Sequence, residues 1–298
     1  MFVVKYRKIF YALSIILIGV SVYALATFGL HLGIDFKGGS LVEVDYAVAP
    51  NTELIKSDIG SLNIGDFSVR PSGETGVLIR MKDLTAEERK LVIEKLTTKE
   101  GGTLKRFDSV GPVLGAELQK KSLWSIFWVL FAIVVFITFA FRHVSKPVAS
   151  WKYGIVAIIA LFHDVIIPAG VFAFLGHFKG VEVDALFVTA ILVVLGFSIH
   201  DTIVVFDRTR ENLRKHGEGK GKKEFEEIVG QSLSETFVRS INTSLTTLFA
   251  LIVLFYVGPT ETKNFVFALM IGIVAGTYSS IFIGSPLLVT LEKWQKKN

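Results

Sequence analysis

Six stretches of this chain run for about 18–25 residues with few or no charges: 9–28, 123–141, 153–175, 185–206, 240–257 and 265–291. That length crosses the hydrocarbon core of a bilayer as a helix, which satisfies its backbone N–H and C=O groups internally. The pattern predicts a polytopic α-helical membrane protein of six spans, with both ends of the chain on one side. Between the first and second spans the periodicity changes. "SLVEVDYAV" alternates as a strand does, and "NTELIKSDIGSL" places an Asn cap before a short helix. "DFSVR" and "GVLIRMK" flank the turn-like "PSGET" as a hairpin. "TAEERKLVIEKLTTK" opens with a capping box, Thr85 to Glu88, and sets Leu91, Ile93 and Leu96 along a helix; "TLKRFDSV" follows as a last strand. The order βαββαβ is that of a ferredoxin-like α+β domain, with helices on one face of the sheet and the other face free for a partner. Three segments result: 1–28, N-terminus and first span; 29–122, the α+β domain; 123–298, spans two to six with their loops.

Charge settles the sidedness. Lys and Arg gather at Lys5, Arg7 and Lys8, at Arg142, Lys146 and Lys152, from Arg208 to Arg239, and at Lys293, Lys296 and Lys297. The two short loops on the other side offer Lys179 and Lys263. By the positive-inside rule both termini are cytoplasmic and the α+β domain is extracytoplasmic. The N-terminus, "MFVVKYRKIF" followed by an apolar run and Ala24-Leu25-Ala26, has the features of a signal peptide. The run is long enough to span, which favours an uncleaved anchor. The segment 211–227, "ENLRKHGEGKGKKEFEE", interleaves acids with bases and reads as a solvated cytoplasmic loop, not a nucleic-acid patch. Apolar residues make up 51% of the chain and Phe alone contributes 25, as expected of a membrane protein. Cysteine is absent, which removes disulfides, thiolate metal sites and Cys nucleophiles. No GxxxxGK[ST], HExxH or cofactor fingerprint is present, so nothing calls for an enzyme, a cofactor or a metal.

Ionisable groups inside spans cost about 2.5–3.5 kcal/mol near a helix centre, so each is a functional candidate. Asp164 lies in the third span, four residues before Pro168, which leaves the Asp164 carbonyl without its helical donor. Asp201 lies in the fourth, with Ser198 and Thr202 near it on the helix. Arg239 opens the fifth and heads a polar stripe through Asn242, Thr243, Thr246 and Thr247, expected to look toward other spans. "HDVII" and "HDTIV" recur 37 residues apart on antiparallel spans. Their acids would differ in depth by about 7–8 Å, a ladder for a proton without direct contact. His163 and His200, being next in sequence to those acids, are expected to point away from them as satisfied polar residues. In the sixth span Gly272, Gly276, Ser280 and Gly284 place a small residue every fourth position, a close-packing face for another helix.

"GIDFKGGS" at 33–40 has an acid, a lysine and glycines, but lacks the spacing of a phosphate loop and leads into a strand. Gly33, Gly38 and Gly39 read instead as a tight turn or hinge from the first span into the domain, with Asp35 and Lys37 at the outer mouth of the bundle, where Asp35 is read as part of a hydrogen-bonded turn with proton collection as the alternative.

Together "LGIDFKGGS", "VGPVLGAEL", "LFHDVII", "GFSIHDTIVVFDRTREN" and "RSINTSLTTL" resemble the SecF side of the SecD/SecF family of bacterial protein export. The resemblance implies a six-helix half of a twelve-helix bundle similar to resistance-nodulation-division transporters, in the bacterial inner membrane. It implies SecD as partner, and work alongside the SecYEG channel and SecA on a translocating polypeptide, driven by the proton-motive force. The family's fourth-span acid matches Asp201 and its fifth-span arginine matches Arg239. His200 departs from the Asn more usual there. Two other readings stay open at this point: a proton-coupled efflux permease half for small solutes, and a passive scaffold of a channel complex.

Overall fold

The computed structural model describes residues 2–98, 101–142, 150–216 and 223–297. The basic position Lys146 and the loop residues 217–222 lie outside the described residues. The chain divides into two compact units, one of Leu32–Leu123 and one of Met1–His31 with Trp124–Asn298.

The smaller unit opens with a single helical turn, α3 (Ile34–Lys37), α1 (Phe2–Lys5) and α2 (Arg7–Phe28) preceding it in the other unit. Then come β1 (Gly39–Asp45), α4 (Thr52–Gly60), β2 (Phe67–Ser72), β3 (Gly76–Met81), α5 (Ala86–Thr98) and β4 (Thr103–Val110). The sheet is antiparallel in the order β2-β3-β1-β4, the ferredoxin-like arrangement. Alternation decides its faces. Val42, Val44 and Tyr46 join Val77, Ile79 and Met81 on one side, where they bury Ile55 and Ile59 of α4 and Val92 and Leu96 of α5. Leu91, expected on that inner face, is exposed; Val92 takes its place, one turn before Leu96.

Both helix starts form as their sequences predict. The Asn51 side chain accepts from Glu53 N–H at 3.0 Å. At α5 the Thr85 hydroxyl accepts from Glu88 N–H, and Thr85 N–H donates back to the Glu88 carboxylate at 2.9 Å, a reciprocal capping box. A contact from Lys82 and then the two from Thr85 hold the Glu88 carboxyl down at about 2.

The turn before β1 differs from the sequence expectation in containing α3. Gly38 ends it with φ 76°, its N–H bonded to Ile34 O at 2.8 Å, and Gly39 follows at φ 123°. A Cβ on Gly38 would meet Pro112 Cα at 2.7 Å, and one on Gly39 would meet Met81 O at 2.7 Å. These two positions demand glycine. Gly33, at φ −74°, does not.

The larger unit contains α2, α6 (Pro112–Ala140, which begins in the smaller unit), α7 (Ser150–Lys179), α8 (Ala185–His216), α9 (Phe225–Val257), α10 (Lys263–Ser279) and α11 (Ser285–Lys297). A π-helical turn, Ser280–Gly284, joins the last two. Among the described residues, six helical segments are long and apolar enough to cross a membrane. Much of the expected loop at 211–227 is instead helix: α8 continues to His216 and α9 starts at Phe225. The glycine stripe of the sixth span packs on α8 of this same chain. A Cβ at Gly272 would collide with Val194, and one at Gly276 would come within 2.9 Å of Ser198 Cβ. α2 lies against α7 where Gly170 leaves no room beside Ser21. The outer aromatics of α6, among them Trp124, Phe127, Trp128 and Phe136, are exposed.

Three expectations follow. Gly39→Ala in the full-length protein should cost more than about 2 kcal/mol in denaturant or thermal unfolding, because strain and a backbone collision add. Gly60→Ala, with only the Phe67 ring near by at 3.8 Å, should be neutral or mildly stabilising. Because Glu88 titrates below its ordinary 4.5, the stability from its capping box is complete above that pH and declines as pH falls toward about 2. A carbon-detected NMR titration with a midpoint near 4.5 would refute this.

Candidate functional site

α7, α8 and α10 meet around Asp164, which is fully buried. The Ser198 hydroxyl donates to its Oδ2 in a short hydrogen bond, and the Ser279 hydroxyl donates to the same oxygen at 2.9 Å. Oδ1 lies 3.0 Å from His163 Nδ1. Here the structure corrects the expectation that adjacent histidine and aspartate point apart: the two side chains bend toward each other across one helix step. The His163 ring stacks on Tyr278 at 5.8 Å, and Tyr278 donates its hydroxyl to Phe10 O at 2.9 Å. His163 Nε2 is buried without a partner.

Ser198 also connects this cluster to the next. Its carbonyl accepts from the hydroxyls of Thr202 and Ser280, each at 3.2 Å, and those two hydroxyls lie 2.9 Å apart. Asp201 stands one turn further along α8 from Ser198. It is 3% exposed, and its Oδ2 makes no hydrogen bond among the described residues. The groups that act on its carboxylate are His200, Ser240 and Arg239. Ser240 is near enough to bear on it, yet its own buried hydroxyl oxygen completes no hydrogen bond either. A buried carboxylate oxygen left without a donor ordinarily costs about 1–3 kcal/mol.

α9 carries polar residues on two faces. Thr236, Ser240 and Ser244 are buried, and the Ser244 hydroxyl meets Thr277 of α10 at 2.5 Å. Arg239, Asn242 and Thr246 are exposed, while Thr243 and Thr247 are half-buried. The stripe expected to look into the bundle therefore lies on the surface of this chain. Its threonines return their hydroxyls to the helix, Thr243 to Arg239 O at 2.9 Å and Thr247 to Thr243 O at 3.0 Å. His200, expected within the bundle, is exposed too.

Asp35, in the smaller unit, is half-buried and acts on the Arg80 guanidinium. Burial pulls Arg80 down to about 10, which leaves it a cation at neutral pH. Among the described residues no His, Cys, Asp and Glu cluster could hold a metal. Sequence reasoning missed Ser240, Ser279, Ser280 and Tyr278. The adjacent serines of "TYSSIF", deep in an apolar span, were the available signal.

Comparison with known proteins agrees with these motifs. The family described as protein export membrane protein SecD/SecF, C-terminal, matches residues 92–294, and the SecD/SecF GG motif matches residues 23–48. The protein translocase subunit SecF of Thermobaculum terrenum is 43% identical, covering 99% of this chain and 94% of the relative. That of Anaerolinea thermophila is 37% identical, covering 98% and 94%. The crystal structure of SecDF from Thermus thermophilus, a translocon-associated membrane protein, superposes with a TM-score of 0.83 at 27% identity over 98% of this chain. This chain spans 38% of that SecDF chain. SecDF in a super-membrane-facing form gives a TM-score of 0.65.

Ser279→Ala should lower unfolding stability in detergent by about 1–3 kcal/mol, since a buried carboxylate loses a donor. Thr246→Ala, exposed and bonded only within its own helix, should stay within about 0.5 kcal/mol.

Proposed function

The chain belongs to the SecD/SecF family of protein export membrane proteins, and we propose that it is the SecF subunit of a SecD–SecF assembly that couples proton entry to protein export. The observation that carries the reading is Asp201, buried in the fourth span with one carboxylate oxygen unsatisfied among the described residues. A proton on Asp201 removes the cost of a buried charge, and its loss restores the attraction to Arg239. Alternating protonation then favours two different separations of α8 and α9. A charge crossing the full potential supplies about 2.3 kcal/mol per 100 mV, roughly a 50-fold shift in a two-state equilibrium.

Asp164 plays a different part in this proposal. Both its oxygens have partners on three elements, so it fixes the wall against which α8 stands and leaves the exchange of protons to Asp201. Ser198 and Thr202 transmit that wall to the Asp201 turn, and His163 holds the far side of Asp164.

The exposed stripe of Arg239 and Asn242 supports a covering partner. Lipid cannot satisfy a guanidinium or an amide at such a position, whereas a second bundle can. SecD is the partner we assign to it, with SecYEG, SecA and the translocating polypeptide around the pair. The basic residues at the chain ends and between α8 and α9 support a topology with both termini in the bacterial cytoplasm and the α/β unit outside the inner membrane. Gly33, Asp35, Gly38 and Gly39 then form the turn from the first span into that unit, a structural hinge. The family matches speak for export and against an efflux permease.

Asp201→Asn should abolish the part of export that depends on the proton gradient while leaving ATP-driven export in place, measured in inverted membrane vesicles with and without an uncoupler. Retention of full gradient stimulation would leave a passive scaffold as the reading. Exchanging the charges, Asp201→Arg with Arg239→Asp, should recover part of what either change alone loses.

A further inference from the structure

A second polar contact joins α8 to α9 on the side of Asp201 away from Asp164. Arg208 Nε and Asn212 Nδ2, both from α8, donate to Glu235 Oε2 of α9, the amide at 2.9 Å. Asn212 also donates to Ser232 Oγ at 3.0 Å and is itself 2% exposed. The other oxygen of Glu235 accepts from Gln231 Nε2 at 2.8 Å. Glu211 takes the remaining arm of Arg208, with Lys215 beside it, and Lys223 closes on Gln231.

Geometry ties this cluster to the candidate proton site. Arg208 is seven residues beyond Asp201, two turns along the same face of α8. Glu235 is four residues before Arg239, one turn along α9. The facing pairs Asn212 with Ser232, Arg208 with Glu235, and Asp201 with Ser240 descend one helix as they climb the other. They are three rungs of one antiparallel register. An α-helix does not slide one rung without sliding the next, so whatever fixes the outer rungs fixes the inner one.

We propose that Glu235 is a positioning residue of the proton-coupled site. By gathering Arg208 and Asn212 it clamps α8 to α9 and sets the distance at which Ser240 and Arg239 face Asp201. Exposed ion pairs alone are weak, but here the buried Asn212 amide loses one of its two acceptors when the carboxylate is removed. The clamp does not exchange protons with Asp201; it acts through the register. The inference rests on the proton-coupled reading of Asp201 only for its consequence in export, since the register itself can be measured directly.

The chain has no cysteine, so Val205→Cys with Thr236→Cys, positions that the same register sets opposite each other, supplies the only thiols of this chain. Their cross-linking by a short dithiol-reactive reagent, in membranes holding the whole SecD–SecF complex, reads the α8–α9 register. Glu235→Ala should reduce the cross-linking yield and the gradient-dependent fraction of export by about five- to thirty-fold, the effect of losing one or two such contacts. Glu235→Gln keeps an acceptor for Asn212 and loses the charge, and should fall between Ala and wild type in both readouts. It also serves if the alanine variant does not accumulate. Glu226→Ala is the control. It breaks the ion pairs that Glu226 makes with Arg7 and Lys293, which do not involve α8, and should leave the yield unchanged. An unchanged yield in both Glu235 variants overturns the clamp. If Asp201→Asn retains gradient-dependent export while the yield falls in Glu235→Ala, the proton reading fails and the clamp stands.

Discussion

The hydrogen bond from Ser198 to Asp164 is the contact around which the membrane unit is arranged. Inside a bilayer a carboxylate finds no water, so its partners must come from neighbouring helices. Ser198 brings α8 to α7, and Ser279 brings α10 to the same oxygen. That convergence requires the helices to approach more closely than ordinary side chains allow. Gly272 and Gly276 meet the need, lying against Val194 and Ser198 where any Cβ would intrude. The small-residue stripe and the buried acid are therefore one device: glycine makes the space and the hydroxyls fill it with hydrogen bonds. Nothing about it needs a second chain.

The two buried acids differ in how completely they are satisfied, and that difference separates their roles. Asp164 has a donor or ring nitrogen on each oxygen, while Asp201 leaves Oδ2 open beside a hydroxyl that has also found no partner. A fully bonded group holds a structure in place; a group left short is held there by its surroundings and gains when they change. α9 is the element that can change them. It buries Thr236, Ser240 and Ser244 against the bundle and presents Arg239 and Asn242 on its surface. Among the described residues, the cation that acts on Asp201 from another helix, Arg239, thus sits on the surface of the chain.

Much of this was legible in the residues. Caps and strand alternation gave the βαββαβ order, because Asn51, Thr85 and Glu88 act through contacts only two or three positions away. The six spans followed from apolar length alone. What escaped were features set by contacts distant in sequence. Leu91 and Val92 are equally apolar, and only the packing against β1 and β3 puts Val92 inside. Arg239 heads a regular polar stripe, but α9 has a second one, and periodicity cannot tell which the bundle buries. His163 bonds to its own neighbour because burial leaves the two side chains each other as partners. The turn α3 was hidden because four residues between glycines carry no periodic signal. Gly38 and Gly39 were correctly marked as exceptional, for a reason that only the nearby Pro112 and Met81 backbone makes concrete.

The π-helical turn follows a short run of α10 that addresses two neighbouring helices. Adjacent residues on an α-helix point about 100° apart, so Ser279 and Ser280 would ordinarily address different neighbours. Here they do: Ser279 bonds to Asp164 on α7, and Ser280 bonds to Ser198 and Thr202 on α8. A helix that continued unchanged would carry Gly284 and Ser285 on in fixed phase with them. The wider turn from Ser280 to Gly284 resets that phase, so α11 leaves toward Glu226 through Lys293 and toward Tyr11 through Thr290. Such turns concentrate where a helix must satisfy two constraints that regular geometry cannot meet together. The two constraints here are the buried acid cluster and the charged end of the bundle. The π turn lies between them, after the Ser279 contact with Asp164 and before the Lys293 contact with Glu226.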